Sequence, residues 1–252
     1  MEVHKHPHHV THKKRWTEYL LEFFMLFLAV FLGFVAENIR EHIHDREVER
    51  TNIESLLKNL QKDSRNLAVS TDVMEKRILL IDSLMDIKSS NVPDTVFTRL
   101  LAYYDLKLGY NAYFQANQST FDQMQSSGTL RLISHTGVLD SILKYEALYK
   151  TIKNQEGVCE VWWNKTVEQV SLIYDLTFIS HLPEGALWQL NLSDLAKFSF
   201  PGIDRHSPEV RLYFNWQANV SVASGYYLNE LHQVLSYNGT LIAYLKKEYN
   251  ID

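Results

Sequence analysis

Histidine is the residue type whose density in this sequence most directly suggests chemistry. Five histidines lie close together near the N-terminus: His4, His6, His8, His9 and His12. Neutral imidazoles at such a density can bind zinc, copper or nickel. The alternative, which we favour, is a short solvated tail whose histidines organise no structure. We therefore expect no metal site and no cofactor.

Motifs for catalysis are missing from the sequence. It contains no GxSxG, P-loop, GxGxxG, CxxC or HExxH pattern. His42 and His44 are two residues apart, so on a helix they point away from each other and cannot easily share one ion. Cys159 is the single cysteine, which excludes an intrachain disulfide and favours a buried, inert thiol. We expect no enzymatic activity.

Two further sets of residues allow both a functional and a structural interpretation. Ser126–His135 is either a ligand loop or a helix end at Gly128 that turns into the next helix, and we favour the latter. Five aromatic residues at helical spacing could line a pocket for an apolar ligand, but such residues more often form a helical core. They are Tyr145, Tyr149, Trp162, Trp163 and Tyr174.

A run of apolar residues near the N-terminus has the length of a membrane span. From Leu20 to Ala36 the chain reads LLEFFMLFLAVFLGFVA, and Glu22 is its one charged residue. Extended back to Trp16, the segment covers residues 16–36, or roughly 30 Å of helix, which is one hydrocarbon thickness. A signal peptide fits poorly because the apolar run is too long and Phe34 would occupy the −3 position. We predict a transmembrane helix in contact with membrane lipid.

Basic residues on the two sides of this segment indicate its orientation. Lys13, Lys14 and Arg15 precede it directly, whereas the arginines that follow it are more dispersed. The positive-inside rule then favours a cytoplasmic N-terminus and an extracytoplasmic C-terminal part, by a narrow margin.

Small residues on one side of the predicted span suggest a surface for self-association. Glu22, Ala29 and Ala36 are seven residues apart and nearly coincide in projection, and Gly33 lies one turn beyond Ala29. Such small residues let two helices approach closely. We predict an interaction face made of Glu22, Ala29, Gly33 and Ala36, and a homo-oligomer formed through the transmembrane helix. Chance placement of small residues is the alternative.

Beyond the span, the apolar pattern has a helical period throughout. Residues 34–92 contain neither glycine nor proline. Within them, apolar residues recur in a 4-3 pattern from Ile39 to Met85, which predicts one long helix with a coiled-coil-like seam. Further helices are predicted over 95–106, from a capping box at Ser119, over 138–152 and from Ser207-Pro208 to about Lys247. The fold class is therefore all-α: a transmembrane helix that continues into a long helix and a helical bundle.

The predicted domain organisation follows from these elements. Residues 1–15 form a cytoplasmic His-rich tail, 16–36 the transmembrane helix and 37–252 a helical extracytoplasmic domain, with a sub-boundary near 183–207. From Glu37 onward there are 21 basic and 27 acidic residues, a net charge of −6. This excess of acid disfavours nucleic acid as a partner.

One family of proteins shares part of this pattern. The stretch EFFMLFLAVFLGFVAENIREH, the helix leading to LLKNLQKD, and STFDQMQSSGTLRLISHTGVLDSILKYEALY resemble a family of uncharacterised single-pass membrane proteins from Bacteroidetes. The resemblance covers roughly residues 18–149. It implies a bacterial inner-membrane location with a periplasmic C-terminal domain, and it implies no activity and no catalytic residues.

Two functions remain open from the sequence. The first is a membrane-anchored interaction or scaffold protein with an unknown protein partner. The alternative is a periplasmic ligand-sensing module that signals through a partner protein, since the predicted cytoplasmic tail is too short for an output domain.

Overall fold

Helices form all of the regular structure that is described. The computed structural model describes residues 15–109, 113–181 and 190–251, and no strand occurs in these ranges, so the predicted all-α class is confirmed. The helices are α1 (Trp16–Lys88), α2 (Asp94–Leu108), α3 (Ser119–Ser126), α4 (Thr136–Val170), α5 (Leu192–Leu195) and α6 (Pro208–Tyr249). Short 3₁₀ helices cover Thr129–Leu132 and Thr177–His181.

The chain divides into two compact units, residues 1–51 and residues 52–252. The described part of the first unit is the beginning of α1, where every residue from Trp16 to His44 is exposed. The second unit contains the rest of α1 and all the other helices. The predicted boundaries after residues 15 and 36 rest on composition and stay predictions.

Local signals account for some of the helix ends. Ser207 caps α6 by accepting a hydrogen bond from the Val210 backbone N–H at 3.3 Å, and Pro208 occupies the first turn, as predicted. Gly128 follows α3 with a φ of +73°, a left-handed conformation that favours glycine. The predicted cap at Ser119 is wrong. Ser119 instead donates a hydrogen bond to the Asn117 side chain at 2.8 Å, and Gln118 precedes the helix without a side-chain cap.

The long helices of the second unit share two apolar clusters. The first core is built from α1, α3, α4 and α6 and contains Leu60, Ile142 and Leu231. The second core is built from the ends of α1 and α4, from α2 and α5, and from the start of α6, and it contains Leu101, Val170 and Tyr213. Each long helix contributes to both cores in succession, so the cores are consecutive layers of one bundle.

The predicted apolar seams match the buried residues of these cores, with one exception. On α6, all eight seam residues are buried: Val210, Tyr213, Val220, Tyr227, Leu231, Val234, Leu241 and Leu245. On α1, the buried seam begins at Ile53, whereas Ile39 and Ile43 are more than half exposed. The seam that the sequence predicts from Ile39 is therefore buried within this chain only from Ile53 onward.

Candidate functional site

The apolar beginning of α1 is the most unusual surface in the described structure. An 18-residue window in this helix has a mean hydropathy of 2.3 and is 0% buried. Trp16 is 81% exposed and Phe34 is 72% exposed. Soluble proteins rarely expose a contiguous apolar surface of this extent. By length and composition this helix can cross a membrane.

The residues of the predicted interaction face all lie on this exposed part of α1. Glu22, Ala29, Gly33 and Ala36 are each exposed, and no other part of the described chain covers them. A Cβ atom built on Gly33 would meet nothing within 4 Å, so packing within the chain does not require a glycine there. On the opposite side, the rings of Phe23, Phe27 and Phe31 stack with centroids 6.5 and 6.0 Å apart.

Charged residues follow the apolar segment directly. The Arg40 guanidinium donates to the Glu37 carboxylate at 3.0 Å, and this hydrogen bond lowers the pKa of Glu37. Both side chains are largely exposed, so the ion pair adds little to stability. No group of three or more metal-ligating side chains occurs in the described residues, and the histidine tail lies outside them.

A buried carboxyl, Asp105, joins three segments of the second core. Its two oxygens accept hydrogen bonds from the phenols of Tyr174 at 3.2 Å and Tyr213 at 3.1 Å. The Gln217 amide donates in turn to the Tyr213 oxygen at 2.9 Å. Burial is the main cause that raises the pKa of Asp105 to about 6, and the two phenols and nearby Arg77 oppose this rise.

Arg77 provides the positive charge in the same region. Its guanidinium donates to the Leu108 carbonyl at 2.6 Å and lies 4.8 Å from the centre of the Trp163 ring. Burial lowers the pKa of Arg77. These contacts fix the end of α2 against α1 and α4, so the role they show for Arg77 is to hold these three helices together.

Cys159 is buried, as predicted, at 4% exposure. Desolvation raises the pKa of its thiol to about 11. At neutral pH the group is therefore protonated and a poor nucleophile.

A second buried carboxyl, Asp63, anchors the segment before α3. It accepts hydrogen bonds from the Asn117 backbone N–H at 2.9 Å and from the Tyr145 phenol at 3.1 Å. Nearby, the Tyr227 phenol accepts from the Phe114 backbone N–H at 2.9 Å. Two backbone N–H groups in the chain from 113 to 118, those of Phe114 and Asn117, thus donate to side chains of α6 and α1, and the segment has no regular structure of its own.

The five aromatic residues do not come together in one pocket. Tyr145 and Tyr149 belong to the first core, whereas Tyr174 belongs to the second. Trp162 packs on Trp216 with ring centroids 5.6 Å apart, and Lys165 lies over both rings. The structural interpretation of these residues is confirmed.

Ser126–His135 also has the predicted structural role. It contains the end of α3, the left-handed Gly128 and a 3₁₀ helix, and His135 precedes α4. The Thr129 hydroxyl accepts a hydrogen bond from the Asn52 amide at 3.2 Å, which ties the turn to α1.

A recess of about 200 Å³ lies beside the second core, in a region that the sequence did not single out. Phe178 packs on Phe198 and Phe200, with ring centroids 5.4 and 5.1 Å apart, and the three rings form part of its wall. Tyr174 and His181 also line it. It is smaller than the roughly 300–1,000 Å³ of typical ligand pockets, so only a small molecule would fit.

The sequence predicted neither the buried polar contacts of Asp105 and Arg77 nor the recess beside Phe178. Their partners are distant in the chain, and no motif relates them: the Tyr174 and Tyr213 contacts to Asp105 span 69 and 108 residues. Comparison of the chain with protein-family models, curated proteins and solved structures gave no match.

Proposed function

We propose that this chain is a membrane-anchored helical protein that acts by binding other proteins, as an interaction or scaffold component. The observation that carries the proposal is the apolar start of α1, which is 0% buried over an 18-residue window. It continues directly into a helix that enters a well-packed bundle. The buried carboxyls Asp63 and Asp105 of that bundle accept hydrogen bonds that join its segments, which supports a structural role for these groups over a catalytic one.

The proposed location is a bacterial inner membrane, with a cytoplasmic N-terminus and a periplasmic domain. The support is the charge distribution in the sequence, with Lys13, Lys14 and Arg15 directly before the apolar segment.

Membrane fractionation of the full chain tests the anchor. We expect the protein to stay in the membrane pellet after extraction at alkaline pH and to be released by detergent.

For orientation, Leu79→Cys supplies an exposed thiol, since Leu79 is 65% exposed. A membrane-impermeant maleimide should label it in cells whose outer membrane is permeable and whose inner membrane is intact. Labelling only after the inner membrane is broken would reverse the topology.

A second part of the proposal is that the span associates with itself through Glu22, Ala29, Gly33 and Ala36. The open space at the Gly33 Cβ position supports this, since a partner helix could approach there. Ala29→Leu and Gly33→Leu should each lower association in a membrane two-hybrid assay of the span, while Phe27→Leu should not. Equal signals from all three variants would remove this face from the proposal.

The protein partner can be sought directly. We expect the detergent-solubilised full chain to retain a defined protein partner on affinity purification with mass spectrometry. If no specific partner is recovered at any expression level, the result would count against a scaffold role.

Ligand sensing is the alternative function, and the recess beside Phe178 is the observation that favours it. A small apolar ligand bound there should raise the melting temperature of the full chain in detergent. Phe178→Ala should weaken that shift, and Val222→Ala, on the exposed face of α6, serves as the control. A ligand shift that both variants retain would place the binding site elsewhere.

A further inference from the structure

Aromatic rings form several sides of the recess beside the second core. The ring centroids of Phe198 and Phe200 lie 5.4 and 5.1 Å from that of Phe178, at interplanar angles of 50° and 76°. Rings at such steep angles do not stack into a closed block, so they form adjoining walls. Tyr174 adds a fourth ring to the lining. The face of each ring carries partial negative charge, which attracts cations.

A carboxylate lies at the same recess. Asp175 is exposed and lines the recess together with Thr177. The Thr177 backbone N–H donates to the Asp175 carboxylate at 2.8 Å, and this hydrogen bond lowers the pKa of Asp175. The carboxyl group is therefore ionised at neutral pH, and it places a full negative charge beside the rings.

In the described part of the chain, no lysine or arginine pairs with this carboxylate. The lysine nearest in sequence to the lining, Lys197, donates to Asp194 at 3.2 Å. The nearest arginine, Arg205, donates to Asp94 at 3.2 Å. Residues 182–189, between the two halves of the lining, contain neither lysine nor arginine. Where a described lysine or arginine lies over an aromatic ring, that ring is never one of these three phenylalanines.

The walls of the recess are held in place by contacts behind them. The Tyr174 phenol donates to the buried Asp105 carboxyl at 3.2 Å, and Phe200 is 7% exposed in the second core. The Ile203 backbone N–H donates to the Thr98 hydroxyl at 3.2 Å, which ties the segment after Phe200 to α2. Because these groups are already ordered, a ligand loses little affinity to the ordering of its site.

We propose that this recess binds a small organic cation whose charge is covered by methyl groups, such as a quaternary ammonium ion. The methyl groups pack on the ring faces, while the Asp175 carboxylate offsets the positive charge. An uncharged ligand of the same shape leaves that carboxylate without a counter-charge. A recess of about 200 Å³ also suits a compact group of this kind. The proposal rests on the alternative ligand-sensing function and specifies the chemistry of its ligand.

Thermal unfolding of the full chain tests the proposal, in a maltoside detergent because that detergent contains no ammonium group. The probe is choline chloride, and sodium chloride at the same concentration controls for ionic strength. The second control is the uncharged analogue of choline in which a carbon atom replaces the nitrogen. His181 also lines the recess, so the measurement is made at about pH 8, above the range in which histidine ordinarily changes charge. We expect millimolar choline to raise the melting temperature and both controls to leave it nearly unchanged.

The ways in which this proposal can fail are distinguishable. If the uncharged analogue raises the melting temperature as much as choline does, the recess binds an apolar ligand. The sensing function then stands, and the cation proposal is overturned. If neither molecule raises the melting temperature, the recess is not a ligand site, and both are rejected. A shift of equal size with sodium chloride would be a general effect of ionic strength, which also overturns the cation proposal.

Two matched asparagine substitutions test the role of the carboxylate. Asp175 and Asp204 are both exposed, and each accepts a hydrogen bond at 2.8 Å from the backbone N–H two residues later. Only Asp175 lines the recess. Asp175→Asn keeps the accepting oxygen and should raise the choline concentration needed for a given shift about threefold, as expected for an exposed charge pair. Asp204→Asn should leave that concentration unchanged. Equal changes from both variants, or no change from Asp175→Asn, would overturn the proposal.

A leucine substitution tests the ring faces without emptying the wall of the recess. Phe178→Leu keeps an apolar side chain but removes the aromatic face, so it should raise the required choline concentration about fivefold. Phe27→Leu makes the same change in the apolar part of α1 and should have no effect. A Phe178→Leu variant that responds to choline as the parent does would overturn the proposal. The comparison of choline with its uncharged analogue needs no variant, so it decides the proposal even if one of the variants fails to fold.

Discussion

Two parts of the same helix, α1, bury their apolar residues in opposite ways. From Trp16 to Ala36 apolar residues occupy all sides of the helix, and all of them are exposed. From Asn52 to Lys88 apolar residues form one stripe, and residues such as Ile53, Leu67 and Ile81 have no exposed surface. The helical geometry is the same in both parts, and only the surroundings that the side chains require are different.

This difference indicates which surroundings suit each part. A stripe of apolar residues requires a protein core on one side and water on the other. A helix that is apolar on all sides requires an apolar environment all around it, which a lipid bilayer supplies. Substitutions in the two parts are therefore expected to act on different measurable quantities.

The largest expected effect is the loss of a buried side chain in the second part. Leu60→Ala removes a side chain that is 1% exposed in the first core. We expect the free energy of unfolding of the domain to fall by about 2–5 kcal/mol, from lost burial and the cavity left behind. Denaturant unfolding of the full chain in detergent micelles measures this loss.

The matched control for Leu60→Ala is Phe27→Ala in the first part of α1. Phe27 is 53% exposed and makes no contribution to either core. We expect it to leave the unfolding of the domain unchanged. A comparable loss from both substitutions would contradict the separation of the two parts.

A charge in the apolar part is expected to have the next largest effect. Leu26→Arg places an arginine near the centre of the predicted span, which raises the free energy of insertion by about 3 kcal/mol. The fraction of protein in the alkaline-extracted membrane pellet should fall accordingly. Leu79→Arg, at an exposed position of the second part, should leave both the pellet fraction and the domain stability unchanged. An unaffected Leu26→Arg variant would show that this segment does not span the membrane.

The features that could be predicted from sequence are those that lie along a single helix. The continuous apolar segment of α1 and the repeating seam of α6 are of this kind, so neighbouring residues are enough to identify them. Asp105 could not be predicted, because its role depends on Tyr174 and Tyr213, which only the packing of three segments brings together. The cap at Ser119 failed for a local reason, since the helix begins one residue too early: the Asp122 N–H donates to the Gln118 carbonyl at 2.9 Å, so Gln118 holds the cap position and Ser119 lies inside the helix.

The pH dependence of stability further distinguishes the domain from the apolar part of α1, because Asp105 is buried in the domain. The pKa of Asp105 is about 6 when folded, compared with 3.8 as its ordinary value. Between these values the folded chain holds a proton that the unfolded chain releases, so stability falls as pH rises from about 4 to about 6. The loss from this one group is at most about 3 kcal/mol.

Asp105→Asn isolates this contribution. The asparagine keeps a side-chain oxygen that can accept a hydrogen bond from a tyrosine, but it cannot ionise. Glu146, whose pKa burial also raises to about 6, still titrates in both proteins. We therefore expect the variant to lose less stability than the parent over this pH range, measured by denaturant unfolding at each pH. Identical pH profiles would exclude Asp105 as a source of the dependence.

The smallest expected effect has the opposite sign and compares a glycine of the domain with a glycine of the apolar part of α1. Gly157 lies inside α4, is exposed, and has nothing within 4 Å of its Cβ position. Gly157→Ala should therefore stabilise the domain by about 0.5–1 kcal/mol, because alanine loses less conformational entropy in a helix. Gly33 has the same open space in the apolar part of α1. Gly33→Ala should leave the unfolding of the domain unchanged in detergent, since the span does not unfold with the domain. A gain of equal size from both variants would mean that the apolar part of α1 unfolds together with the domain, which would contradict their separation.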